Sequence, residues 1–140
     1  MDYQAHWKAL YDAMRTGLDD AGHADVGIFH IFTGDDSPLL TSAEPPLVAY
    51  RQDVERTLGT FGDGSLAVLR SNWVITAWDT DLENSLAYIS VIVNALTDAA
   101  LTTTDSYTTT ALRPLGVQSL YETDAALYAV HLRMEWERSL

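Results

Sequence analysis

Four histidines and 20 acidic residues are the side chains here with the widest chemical range, and their spacing decides what they can do. His6, His23, His30 and His131 lie far apart. None has a second histidine four residues on, so no helix presents the paired imidazoles of a zinc hydrolase. Asp19–Asp20 and Asp35–Asp36 are carboxylate pairs of the kind that can hold a cation, yet neither follows calcium-loop spacing, and both read as solvated loop charges. The glycine cluster GTFGDG at 59–64 has no Lys-Ser/Thr behind it and reads as a turn, not a phosphate cradle. GxSxG, HExxH and a GxGxxG leading into a helix are all missing. Cysteine is absent, which removes disulfides, thiolate metal sites and thiol nucleophiles together. The residue types therefore assign no catalytic, cofactor or metal site. One enzymatic alternative stays open, in which His30 and Asp25 act in an apolar pocket between sheet and helix.

The formal charge of −12 narrows the partners. Nucleic-acid binders draw most of their affinity from a basic patch against phosphates, and the 8 Lys and Arg here are scattered. Aromatic and basic residues are not interleaved as in single-strand binders. Neither specific DNA or RNA binding nor docking on an anionic membrane is expected. The acidity by itself is enough to keep a soluble protein dispersed. No apolar run approaches the roughly 20 residues of a membrane span, and the opening MDYQAHWKAL lacks the pattern of a signal peptide. At 140 residues, 47% apolar, with 4 Trp and 7 Tyr, the chain is expected to fold as one globular domain, 1–140.

The elements follow from periodicity. Segment 72–99 is the organising unit: a β-branched and aromatic strand (Trp73, Val74, Ile75, Thr76, Trp78), then a helix with Leu82, Leu86, Ile89, Val93 and Leu96 on one stripe. Thr80 and Glu83 have the spacing of a capping box. A first helix is expected over 4–21, packing Trp7, Leu10, Tyr11, Met14 and Leu18. Strands follow at 25–32 and 47–55, separated by a proline-bearing loop at 33–46. Residues 56–65 read as a turn-rich connection, and 66–78 as one long strand or two pieces. A threonine-rich stretch at 107–120 is interrupted by a turn at Pro114–Leu115–Gly116. In the closing strand, Tyr128, Val130, Leu132, Met134 and Trp136 alternate with Ala129, His131, Arg133, Glu135 and Glu137. The order describes an α+β domain: a mainly antiparallel sheet, both helices on one face, and a sheet face left without helices.

This layout resembles the tail terminator, or tail completion (minor tail), proteins of long-tailed bacteriophages. The resemblance rests on the N-terminal helix, the loop entering PPLVAY at 45–50, the unit NWVITAWDTDLENSLAYISVIVNAL and the closing LYAVHLRMEWE. PPLVAY stands where the family has a tighter proline–tyrosine pair. Head–tail neck (head completion) proteins share the layout and remain an alternative, as does a non-viral oligomeric interaction module. The resemblance implies a structural virion protein without bond chemistry or cofactor. It would form a ring, commonly of six, on the head-proximal end of the tail tube. It would stop tube growth and join the tail to the neck protein, with DNA passing through the lumen unbound. Assembly would take place in the host cytoplasm. A ring uses two different patches that meet head to tail. The expected contact surfaces are the 33–46 loop, with Asp35, Asp36, Leu39 and Leu40, and the polar strand face with His131, Arg133 and Glu135. Arg51, Arg70, Arg113 and Arg133 are expected to meet acidic residues of neighbouring subunits.

Overall fold

The computed structural model describes residues 3–31, 44–60, 66–105 and 107–139. Helix α1 (Tyr3–Asp20) leads into strand β1 (Gly27–His30), followed by β2 (Leu47–Thr60) and β3 (Leu66–Asp79). Helix α2 (Leu82–Thr97), β4 (Thr108–Thr109), β5 (Arg113–Glu122) and β6 (Leu127–Ser139) complete the order. The sheet runs β1-β2-β3-β6, and β4 and β5 share the far edge of β6. Among the described residues only β1 and β2 pair in parallel, so the domain is α+β with a mainly antiparallel sheet.

Both helices pack on one sheet face. Leu10, Met14 and Leu18 of α1 and Tyr88, Ile89, Ile92 and Leu96 of α2 meet Val48, Tyr50, Trp73, Ile75, Val130, Leu132 and Trp136. A fully buried aliphatic or aromatic side chain contributes about 1.5–3 kcal/mol, so this layer holds most of the fold together. The helices cross closely at Gly17, where an added Cβ would lie 2.8 Å from the Ala95 Cβ. Arg15 ties the end of α1 to the entry of β1, donating to the carbonyls of Val26 (2.6 Å) and His23 (3.2 Å).

Several sequence expectations need correction. The cap of α2 is Asp81, not Thr80; its carboxylate accepts the Glu83 amide at 2.9 Å. Buried Asp79 accepts the Asp81 amide (2.9 Å) and the Tyr88 hydroxyl (2.8 Å), knitting strand end, cap and helix into one junction. The buried stripe of α2 is Ser85, Tyr88, Ile89, Ile92 and Leu96; of the expected stripe, Leu82 and Val93 are half-buried at the margin of the core, while Leu86 is exposed. Ser85 fits this stripe because its hydroxyl donates to the Tyr128 carbonyl at 3.1 Å.

Strand lengths also differ. β1 is shorter than 25–32, and β2 continues to Thr60, because pairing with an unbroken β3 supplies ladder bonds through the glycine-bearing region. The irregularities between Gln52 and Val54 and around Gly59 take up the mismatch. Pro114–Leu115–Gly116 is a bulge inside β5, not a turn. Proline has no amide to donate, and an edge strand is where a sheet tolerates that.

Candidate interface on the helix-free sheet face

The face opposite the helices is built by strand alternation. Directly paired residues of antiparallel strands share a face. One cross-row is Leu47, Trp78, Ala129 and Leu120; the next is Ala49, Thr76, His131 and Gln118; then come Arg51, Val74, Arg133 and Gly116. Beyond these lie Asn72, Glu135 and Arg113, and then Arg70 with Glu137. Six of the expected contact residues, Arg51, Arg70, Arg113, His131, Arg133 and Glu135, thus meet on one surface although they span positions 51–135. Asp35, Asp36, Leu39 and Leu40 lie outside the described residues.

The face is graded from end to end. At the Leu47 end, Leu47, Ala49, Trp78, Leu127 and Ala129 form a second buried cluster, joined by Ile31 and Ala125. The face has no helix on it, yet at this end its strands bury apolar side chains outward as well as inward. In the middle, the Thr76 hydroxyl and His131 Nδ1 share a 2.7 Å hydrogen bond, and His131 packs edge-on to Trp78.

Toward the β2–β3 hairpin the face becomes ionic. Arg133 pairs with Asp53 at 2.9 Å, and Arg51 reaches the same carboxylate at 3.5 Å. Arg113 (2.8 Å) and Arg70 (3.5 Å) share Glu135, and Arg70 also pairs with Glu137 at 3.1 Å. The arginines expected to pair with a neighbouring subunit thus have acidic partners within their own chain. Sequence reading missed Asp53, which a bulge turns toward Arg133; no periodic signal marks it. Glu137, by contrast, was legible in the alternation of β6. Partly exposed pairs of this kind contribute about 0–1 kcal/mol each and exchange partners readily.

Charge divides the molecule by face. Four of the chain's 8 Lys and Arg stand on the helix-free face beside Asp53, Glu135 and Glu137. Among the described residues, the helical side instead exposes Asp12, Asp19, Asp20, Asp25, Asp81, Glu83 and Asp98, with Lys8 exposed and Arg15 half-buried beside them.

The histidines occupy four separate settings. His6 Nε2 is 2.6 Å from Asp105, edge-on to Trp136; His23 packs on Tyr88. His30 stacks between Trp7 and Tyr50, and burial lowers its pKa below the ordinary imidazole value. Asp25 is exposed, so the two do not form the enclosed site considered above. Burial first, then Tyr11 and Asp12 beside Tyr50 and the hydrogen bond to Asp79 at Tyr88, pushes both phenols well above their ordinary range. An open groove of about 1170 Å³ runs between α1 and α2, lined by Asp12, Gly17, Asp20, Ala95 and Asp98 among others. Among the described residues no three His, Asp or Glu gather as a metal site, and no helix is long and apolar enough to cross a membrane.

No protein-family model matches the chain, and no curated protein matches its sequence. Solved structures do share its fold. One is a chain of the structure titled "Virion of native gene transfer agent (GTA) particle", with a TM-score of 0.68. The match covers 99% of this chain and 100% of that one at 13% sequence identity, so what the two share is the fold along their whole lengths.

Proposed function

We propose that this protein is a structural subunit of a phage-like particle and acts by shape, without bond chemistry. The observation that carries this reading is the end-to-end fold match to a chain of a gene transfer agent virion. Within that class, the role is that of a tail terminator: a ring, of six copies, at the head-proximal end of the tail tube. It ends tube growth and offers its other side to the neck protein.

Two features of the molecule support the reading. The helix-free face with Arg51, Arg70, Arg113, His131, Arg133 and Glu135 offers exchangeable ion pairs that a neighbouring copy can enter. The exposed carboxylates of the helical side fit a wall along which DNA slides, since like charge repels phosphate and prevents gripping. Asp35, Asp36, Leu39 and Leu40, which lie outside the described residues, supply the second contact surface in this proposal.

Negative-stain imaging of the purified protein mixed with tail tubes tests the role. The expected result is a ring at one end of each tube and tubes that no longer lengthen. Tubes that keep growing with bare ends in the presence of the protein would overturn it.

A further inference from the structure

β5 is an open edge. It pairs with β6 on one side and with no strand on the other among the described residues, and nine of its ten residues are exposed. Of the six large apolar side chains most exposed on the described surface, four belong to β5: Leu115 (46%), Val117 (56%), Leu120 (42%) and Tyr121 (54%). They lie on both faces, since Val117 and Tyr121 sit across from Leu132 and Tyr128 while Leu120 sits across from Ala129. The stretch VQSLY at 117–121 has neither charge nor proline; the devices that protect a sheet edge, a proline and a bulge, are confined to its start at Pro114–Gly116.

We propose that β5 pairs antiparallel with β5 of a second copy, across a twofold axis at Gln118. Charge favours a copy of the same chain as occupant. The molecule carries −12 overall, whereas β5 has one cation at its start, Arg113, and one anion at its end, Glu122. Antiparallel pairing of two such strands sets Arg113 of each against Glu122 of the other. The register is also consistent by face. With Gln118 opposite itself, Val117 meets Ser119 and Gly116 meets Leu120. The Pro114–Gly116 bulge absorbs one residue opposite Tyr121. Arg113 then returns to the face that Glu122 occupies, because the two lie opposite Glu135 and Leu127 of β6, which are both on the helix-free side.

This inference does not rest on the virion reading. A twofold contact closes at two copies, so a ring must use other surfaces, and the two associations are separable.

The absence of cysteine allows a direct test. Residues directly opposite in an antiparallel pair have Cα atoms about 4.5–5.5 Å apart, within disulfide reach. Gln118→Cys is expected to oxidise to a covalent dimer. Ser119→Cys is not, since its copies would lie about 8 Å apart in this register. Sedimentation of the unmodified protein should show a dimer, and Leu120→Lys, at an exposed position, should weaken it at least about tenfold with circular dichroism unchanged. Glu122→Arg should weaken it as well, and adding Arg113→Glu should restore it. A wild-type monomer at every concentration would overturn the pairing. So would a dimer indifferent to Leu120→Lys, or faster cross-linking through Ser119→Cys than through Gln118→Cys.

Discussion

The two faces of the sheet are written by the same strands in alternate residues, yet they do different work. In β6, Leu132 is wholly buried under the helices while Arg133, the next residue, is exposed and paired with Asp53. In β3, Trp73, Ile75 and Ala77 belong to the helical core, while Trp78 supports the opposite cluster and Thr76 bonds His131. The helical face holds stability in close packing; the other packs only at its Leu47–Trp78 end and, toward the hairpin, carries charge that can be exchanged at small cost. The ionic part of that face can therefore vary without unfolding the molecule, provided the alternation is kept.

That contrast can be broken at single residues. Leu132→Ala should lower unfolding stability by about 2–5 kcal/mol in urea titrations, because it opens a cavity under both helices. Equal costs at Leu132 and Arg133 would erase the distinction between the faces. Gly17→Val should cost about 1–3 kcal/mol, since the helices have no room for a side chain there, and Ala95→Gly in the same chain should recover part of the loss. Asp81→Ala should cost about 1 kcal/mol through the lost cap. Arg133→Ala should cost under about 1 kcal/mol, and less in high salt.

The smallest effect expected is a pH slope. Burial lowers the pKa of His30, so the unfolded chain takes up that proton first. The contribution of His30 is complete above about pH 6.5 and is lost as pH falls through its lowered folded value. His30→Phe should flatten the acid side of the stability profile, measured as the difference from wild type between neutral and mildly acidic pH.

How much of this was legible depended on how one-sided each pattern is. The alternation of β6 and the stripe of α1 were readable because their polar and apolar residues separate cleanly. The phase of α2 was not, because Leu82, Leu86, Val91, Ile92 and Val93 surround most of its circumference, and burial chose a stripe containing Ser85. The cap moved from Thr80 to Asp81 because Asp79, the last strand residue, is itself held by Tyr88. Of the candidate interface, the residues were named from sequence but their common surface was not. Arg51, Arg70, Arg113 and Arg133 sit on four different strands and come side by side only through pairing register, and Asp53, the partner of Arg51 and Arg133, sits at a bulge.

The tight crossing of α1 and α2 at Gly17 and Ala95 has a consequence for the carboxylates those helices display. Helices packed this closely hold the negative groups they display in a fixed relative placement. The repulsion among them must be absorbed by counter-ions gathered from solution, within a Debye length of about 8–10 Å at ordinary ionic strength. Bringing such surfaces together would draw in more cations, so assembly should respond to salt through ion uptake.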